Sequence, residues 1–190
     1  MARSSMRHAH NRQWMRLFPP GILVLALTVA PVASGAQAPS TSPTPSFSQE
    51  ILDAHNKYRL AVGVPALVWS DDLAAAAQVW ANTLNSNLQF AHDPGAGAQN
   101  QGENIWIGTT GAFSLTQMVD DWGSEQKNFQ NGSFPNVSTT GNWFDVGHYS
   151  QMVWRSTTSV GCAGVAGSDG NYRLVCRYSP AGNIQGQQVF

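Results

Sequence analysis

The sequence has few charged residues and few cysteines. Asp, Glu, Lys and Arg make up 11% of its 190 residues, and there are two cysteines. The only lysines are Lys57 and Lys127, and no acidic residue precedes Glu50. Because phosphate neutralisation requires clustered Lys and Arg, this scarcity argues against nucleic acid as a partner. Two thiols alone also cannot close a structural zinc site, which takes four ligands.

The chain also lacks an apolar run long enough to span a bilayer. The longest run, from Ile22 to Val32, has about eleven residues, whereas a spanning helix needs roughly 20. Four arginines precede this run, and small residues follow it up to Ala36. That order is typical of a signal peptide. We therefore predict that residues 1–36 are a signal peptide and that the protein is secreted, with no stable membrane span after cleavage; an uncleaved anchor is the alternative.

The formal net charge of −1 combines two different segments. From residue 37 onward there are six basic and eleven acidic residues, which gives −5. The mature chain of about 150 residues has the size of one domain, and 42% hydrophobic and 10% aromatic residues exclude disorder over most of it. Residues 37–47, rich in Pro, Ser and Thr, are predicted to form a linker, and residues 48–190 the folded domain.

Three helices are predicted from apolar residues at helical spacing. Ser46 is placed to cap the first helix, which Gly63 ends. Ser70, followed by two aspartates, is a strong start for the second helix. The third helix is predicted over Leu115–Phe129, with Ser114 as its cap.

The C-terminal part predicts a β-hairpin with a disulfide. Two strand-like runs, Val160–Val165 and Tyr172–Tyr178, flank a turn cluster centred on Asp169. In such a hairpin the numbers of paired residues sum to 338, as do those of Cys162 and Cys176. The two cysteines would therefore face each other at a separation that a disulfide can bridge. We predict a structural disulfide between them.

Glu125 is the acidic residue with the most informative surroundings. On the predicted third helix it shares one face with Met118, Trp122 and Phe129. A carboxylate among apolar side chains is costly unless it is paired or hydrogen-bonded. The spacing is compatible with a helix rim, with a core salt bridge, and with a cleft where the carboxylate meets a cation, a histidine or a metal.

Other chemical signals are weak when taken alone. His92 lies in a predicted loop at 85–102, and His148 directly follows a predicted loop at 130–147; in such settings a single histidine is usually only a surface residue. No Gly-x-Ser-x-Gly motif, phosphate-binding loop or dinucleotide fingerprint is present. A disulfide would also remove both thiols as nucleophiles.

Several segments together resemble a known family. Residues 147–157 (GHYSQMVWRST) resemble the first signature of the CAP superfamily, which comprises cysteine-rich secretory proteins, antigen 5 and pathogenesis-related class 1 proteins. Residues 174–184 (LVCRYSPAGNI) resemble its second signature, although Arg173 departs from the usual apolar residue or histidine. Residues 102–104 (GEN) and 55–59 (HNKYR) resemble two further motifs of this domain, which is also called the SCP domain.

The resemblance implies an α+β fold, a three-layer α-β-α sandwich with a central, mainly antiparallel sheet. It also implies a cleft tetrad of His92, Glu103, Glu125 and His148, in which His92 and His148 bind a divalent metal, zinc above all. The glutamates would orient the histidines, hold a metal-bound water or bind the ion directly. Ligand histidines must be neutral, so metal affinity should fall below about pH 6.5. We expect a monomer.

The resemblance also implies binding of a small apolar ligand, such as a sterol or fatty acid. The candidate contact residues are Phe129, Phe134, Trp143 and Phe144, four aromatic residues of the segment 129–146, which begins at the last residue of the predicted third helix. The alternative for these residues is that several of them pack under the loop.

Two other functions remain open at this point. One is a metal-dependent hydrolase or peptidase with Glu103 or Glu125 as general base. The other is an extracellular interaction or defence-type module without catalysis. We favour binding over catalysis and assign no catalytic residue.

Overall fold

A computed structural model describes residues 44–190. The predicted signal peptide, and residues 37–43 of the predicted linker, lie outside the described residues. No helix in the described part of the chain is long and apolar enough to cross a bilayer. The helices are α1 (Phe47–Ala61), α2 (Asp71–Asn87), α3 (Leu115–Gly123) and α4 (Gly147–Met152), the strands are β1 (Val68–Trp69), β2 (Gly102–Thr109), β3 (Ser159–Ala166) and β4 (Asn171–Ser179), and short 3-10 turns cover Gly97–Gln99, Ser124–Asn128 and Trp143–Asp145.

The three predicted helix starts are confirmed. The hydroxyls of Ser46, Ser70 and Ser114 each accept the backbone N–H three residues further on, at 3.2, 3.3 and 3.2 Å. Each bond satisfies a donor that the first turn of a helix leaves free. Only Ser114 has the reciprocal bond of a capping box, in which the Gln117 side chain accepts the Ser114 N–H at 2.8 Å.

The third helix is shorter than predicted. It ends at Gly123, and the chain continues to Asn128 as a 3-10 turn instead of an α-helix to Phe129. Gly123 lies against Tyr58 so closely that an added Cβ would stand 2.1 Å from the ring. The Ser124 hydroxyl also donates to the Asp121 carbonyl at 2.7 Å, so a side chain takes up a carbonyl at the helix end.

Helix α4 was not predicted: the predicted loop 130–147 ends at its first residue, and residues 148–152 were assigned to no helix or strand. Its six residues are too few to show an apolar repeat, and four of them, Tyr149 to Met152, are buried. The side chain of the N-cap residue, Val146, forms no hydrogen bond with the first turn of α4. A helix without a local cap or a periodic face leaves no signal in the sequence.

The sheet has the strand order β1-β3-β4-β2. Strand β1 runs parallel to β3, and the other two pairs are antiparallel. The register of the β3–β4 hairpin places Cys162 opposite Cys176, as predicted from the sum of 338. The two cysteines form a disulfide, with their Cα atoms 4.1 Å apart.

Helices cover both faces of this sheet, which confirms the three-layer α-β-α sandwich. Successive β4 residues alternate, so that Leu174 and Cys176 join one core and Val175 joins the other. Helix α2 packs closely on its face, where a Cβ on Gly161 would stand 2.3 Å from the Ala74 nitrogen. The core beneath α2 consists of Ala77, Ala81, Leu84, Ile105, Ala163 and Val175. The larger core lies on the opposite face and includes Ile51, Ala54, Met118, Val119, Trp122, Met152, Trp154, Val160, Leu174 and Tyr178.

Arg59 ties α1 to the segment that follows α4. Its fully buried guanidinium donates to four backbone carbonyls, those of Pro65 at 2.6 Å and of Met152, Trp154 and Thr157 at 2.9 Å each. Burial lowers the pKa of Arg59 to about 10. The fixed fork of a guanidinium suits such multiple bonding, and here it holds the end of the helix that carries His148.

Arg173, which departs from the family signature, is explained by its contacts. Its buried guanidinium donates twice to the Asp169 carboxylate in the hairpin turn, at 3.1 and 2.7 Å, and once to the Gln89 carbonyl at 3.2 Å. The bonds from Arg173 and Asn171 hold the pKa of Asp169 well below its usual range. Arg173 therefore links the hairpin turn to the segment that follows α2.

Candidate functional site

The predicted tetrad lies around one cleft. A cavity of about 290 Å³ brings together His92 from the loop before β2, Glu103 from β2 and His148 from α4. Glu125 lies behind His148 and bonds to it. The full lining of the cavity consists of His92, Asp93, Ala96, Glu103, Asn104, Trp143, Phe144, Gly147, His148 and Asn183.

His148 is held on several sides. The Glu125 carboxylate lies 2.6 Å from His148 Nδ1 through Oε1, and its Oε2 accepts the backbone N–H groups of His148 and Tyr149, both at 3.0 Å. Glu125 therefore also caps the first turn of α4. The Trp122 ring stacks on the imidazole with centroids 6.0 Å apart, and Asn104 donates to the His148 carbonyl at 3.1 Å.

His92 is held by a buried carboxylate. Glu103 Oε1 lies 2.7 Å from His92 Nδ1 and accepts the Asp93 N–H at 2.9 Å. Glu103 Oε2 is 3.0 Å from Arg177 Nε, an ion pair without the direction of a hydrogen bond. Arg177 also bonds the Asp93 carboxylate. Since the Glu103 side chain is only 4% exposed, this guanidinium is what offsets its burial.

Both histidines therefore have the same arrangement. An ionised carboxylate can only accept, so each Nδ1 carries a proton, and in the neutral imidazole each Nε2 keeps a free lone pair. Within residues 44–190 no group of three or more His, Cys, Asp or Glu side chains converges on one point. The cavity is thus lined by two imidazoles, the ligand type that zinc accepts, and each is bonded at Nδ1 by a glutamate.

A buried chain of hydrogen bonds stands behind the cleft. His55 Nδ1 donates to the Ile51 carbonyl at 2.8 Å, so His55 Nε2 accepts the Tyr178 hydroxyl, also at 2.8 Å. Asn104 in turn donates to the Tyr178 oxygen at 3.1 Å. Burial, aided by the charge of Arg59 and opposed by the bond to Ile51, lowers the pKa of His55 to about 4. Burial also raises the pKa of Tyr178.

The four aromatic residues predicted to bind an apolar ligand separate into two pairs. Phe134 is buried against Trp143 and Trp154, and Phe129 packs against the larger core with its ring next to Tyr149 and Phe190. Trp143 and Phe144 line the cleft, with stacked rings 3.9 Å apart at centroid, and Phe144 is 68% exposed. The first pair thus packs into the core, and of the four residues Trp143 and Phe144 line the cleft.

Three residues of the site were missed by the sequence interpretation: Asp93, Arg177 and Asn183. Asn183 donates to the Gly147 carbonyl at 2.8 Å and accepts the Ser150 hydroxyl at 2.7 Å, which fixes the start of α4. Arg177 had a usable signal, because an arginine directly after the apolar run Leu174–Cys176 of a strand requires a partner if it is buried. Asp93 and Asn183 lie in segments without periodicity, and only Asn183 had a signal, because it belongs to the segment 174–184 that resembles the family's second signature.

The chain is similar to curated proteins along nearly its whole length. It is 34% identical over 184 residues to the "pathogenesis-related protein PR-1 type" of Sambucus nigra, covering 96% of this chain and 99% of that protein. It is 36% identical over 166 residues to venom allergen 5 of Vespa magnifica, covering 74% of this chain and 70% of that protein.

Solved structures share the fold. A structure of NaASP2 with Zn²⁺ superposes with a TM-score of 0.64 at 24% identity, covering 75% of this chain and 84% of that chain. The structure of BmVAL-1 superposes with a TM-score of 0.63 at 25% identity, covering 81% and 86%. The family comparison matches residues 52–178, which include the whole tetrad. The chain therefore belongs to the CAP family, the cysteine-rich secretory protein family.

Proposed function

We propose that this chain is an extracellular CAP-domain protein that binds a divalent metal ion, zinc in particular, through the Nε2 atoms of His92 and His148. One observation carries the proposal: both imidazoles line the same cavity, and each is held at Nδ1 by a glutamate. Imidazole nitrogens oriented by carboxylates are a frequent ligand arrangement for zinc. Membership of a secretory family supports the extracellular location.

The chain's own residues have distinct tasks in this proposal. Glu103 and Glu125 keep the proton at Nδ1 and so leave Nε2 free to ligate. Arg177 offsets the charge of buried Glu103, and Asn104 holds the His148 backbone. When bound, the ion would supply a positively charged centre with open coordination positions.

A second candidate function is binding of a small apolar ligand, a sterol or a fatty acid. The observation that favours it is Phe144, which is 68% exposed and stacked on Trp143 at the cleft. Equilibrium binding to cholesterol, ergosterol and palmitate tests it. Saturable binding that weakens in Phe144→Ala supports this function, and no saturable binding to any of the three ligands rejects it.

A hydrolase mechanism receives less support from the geometry. Both Glu125 oxygens are engaged by His148 and Tyr149, and Glu103 is engaged by His92, Asp93 and Arg177. A general base needs a free lone pair directed at the proton it removes. We therefore propose binding, which is compatible with an extracellular interaction or defence-type module without catalysis.

Calorimetric titration with zinc at pH 7.5 tests the metal site. We expect one equivalent to bind to the wild type and the affinity to fall strongly in both His92→Gln and His148→Gln, since each removes one of two ligands. Binding should also weaken between pH 7.5 and pH 5, because a protonated imidazole has no lone pair to offer. Equal zinc affinity in wild type and both variants would reject the site.

A further inference from the structure

We propose that the segment after α2 attaches the protein to the surface of a zwitterionic lipid bilayer, with the side chains of Leu88 and Phe90 inserted between the lipids. None of the residues of this apolar tip (residues 88–91) lines the cleft. The proposal is therefore independent of the metal site and of any ligand bound there. It describes peripheral attachment, since no helix of the described residues could span a bilayer.

The first argument is the exposure of the apolar tip. All residues from Ser86 to His92 are exposed, so the chain projects from the domain here. Leu88 is 52% exposed and Phe90 is 50% exposed. Single exposed apolar side chains are common, but two of them on one projecting segment form a convex apolar feature. A fluid bilayer adapts to such a shape, whereas a stable protein interface needs about 800 Å² of matching surface on each partner.

The second argument is the backbone conformation of Leu88. This residue ends α2 with a φ of 51°, in the left-handed region that glycine adopts without steric cost. A leucine at this position lowers the stability of the fold relative to glycine, and it also exposes an apolar side chain to water. The stability of the free domain therefore does not account for Leu88, whereas an apolar contact outside the domain does.

The third argument is that several backbone groups of the tip are already hydrogen-bonded within the domain. The Gln89 N–H donates to the Leu84 carbonyl at 3.0 Å. The Gln89 carbonyl accepts a bond from Arg173 Nε at 3.2 Å, and the Ala91 carbonyl accepts one from Trp80 Nε1 at 3.0 Å. Backbone groups without partners are costly in a bilayer, so these bonds make insertion less unfavourable. They also hold the tip in place, which reduces the entropy lost on binding.

The fourth argument is the absence of charge. From Leu73 to Ala91 the sequence contains no Asp, Glu, Lys or Arg. Arg173, which bonds the tip, is buried and paired with Asp169. Insertion of the tip therefore buries no unpaired ion.

The same distribution of charge selects the kind of lipid. The tip has no cation for an anionic head group, and the chain from residue 37 onward has six basic and eleven acidic residues. This acidic excess repels anionic lipids. Because anionic lipids give the cytoplasmic leaflet its negative potential, an extracellular protein does not require basic residues to bind the opposite leaflet.

Co-sedimentation with phosphatidylcholine vesicles tests the proposal, with a chelator present so that metal binding does not contribute. The secreted wild-type protein should bind these vesicles, and it should bind less to vesicles that also contain phosphatidylserine. Phe90→Ser should lower the partition coefficient about tenfold, because the inserted ring is lost. The matched control is Phe113→Ser. Phe113 is 42% exposed in another exposed segment, but its ring packs edge-to-face on Trp106, so this variant should bind as the wild type does.

A second variant separates membrane binding from folding. Leu88→Gly removes the apolar side chain and suits the left-handed backbone, so urea denaturation should show a stability equal to or above that of the wild type. Its partition coefficient on phosphatidylcholine should nevertheless fall about fivefold or more. A Leu88→Gly protein that binds the vesicles as the wild type does would overturn the assigned contact.

The remaining outcomes are equally decisive. Wild-type protein that does not sediment with phosphatidylcholine vesicles would overturn the proposal, as would equal losses in Phe90→Ser and Phe113→Ser. Stronger binding to the vesicles that contain phosphatidylserine would show attachment through cations elsewhere and would also overturn it. Light scattering without lipid gives the last control: a dimer that Phe90→Ser abolishes would assign the tip to a contact between two copies of the chain instead of to a bilayer.

Discussion

His55 should make the stability of this domain depend on pH between about 4 and 6.5. It is fully buried and neutral, and both of its nitrogens are engaged by Ile51 and Tyr178. Protonation would put an unpaired charge into the core and a second donor opposite the Tyr178 hydroxyl. The substitution His55→Gln removes the titration and keeps a polar side chain at this position.

The magnitude follows from the two pKa values. The folded-state pKa of His55 is about 4, and an unfolded chain has the ordinary value of about 6.5. Because the unfolded state binds the proton more readily, the free energy of unfolding falls as the pH drops through this window. The loss is about 2 kcal/mol between pH 7 and pH 5 and about 3 kcal/mol by pH 4.

The assay is urea denaturation of wild type and His55→Gln at several pH values from 7 to 4, with a chelator present so that metal binding does not contribute. The variant will be less stable at pH 7, because it disturbs a packed site. The informative quantity is the difference in free energy of unfolding between the two proteins, which should shrink by about 2 kcal/mol from pH 7 to pH 5. If this difference stays constant over the range, His55 has the same pKa in the folded and unfolded states, and the reasoning is refuted.

Three further predictions concern the site and its support. Glu125→Gln should weaken zinc binding by about 10- to 100-fold in calorimetry, because its amide N–H₂ can donate to His148 Nδ1 and favour the tautomer whose Nε2 cannot ligate. The control is Glu50→Gln, since the Glu50 carboxylate caps α3 and contacts no histidine; this variant should bind zinc as the wild type does. Equal losses of zinc affinity in the two variants would contradict the tautomer argument. Reduction of the disulfide should lower the free energy of unfolding by about 3 kcal/mol, as expected for its loop of about 15 residues. If the denaturation curves measured with reductant and without reductant coincide, this prediction is wrong. Arg59→Met should lower the free energy of unfolding by about 3 kcal/mol or more in thermal or urea denaturation, because three buried carbonyls and that of Pro65 lose their donor. A loss below about 1 kcal/mol would show that water or other groups replace the guanidinium.

Local signals account for the parts of the fold that the sequence predicted well. Ser46, Ser70 and Ser114 act on groups within three residues, so their role as caps is visible in a short window. The hairpin register follows from the turn at Asp169, because Cys162 and Cys176 are equally far from it along the chain. Both rest on short-range geometry, which a sequence carries directly.

The site was predicted by resemblance and explained only by the structure. The pattern of apolar residues on the third helix could not decide the role of Glu125, because the partners of its carboxylate, His148 and Tyr149, lie more than 20 residues further along the chain. Helix α4 was missed for the same reason: the group that caps it comes from another element. Arg177 and Asp93 meet across 84 residues, and no local pattern encodes such a pair.

The central claim is that His92 and His148 hold a metal through Nε2. Anomalous diffraction at the zinc absorption edge, from crystals soaked in zinc at neutral pH, tests it most directly. We predict one strong peak in the cleft, bonded to the Nε2 atoms of both histidines, with Glu103 and Glu125 still at Nδ1. No peak in the cleft, or a zinc ion bound by the glutamates in place of the imidazoles, would contradict it.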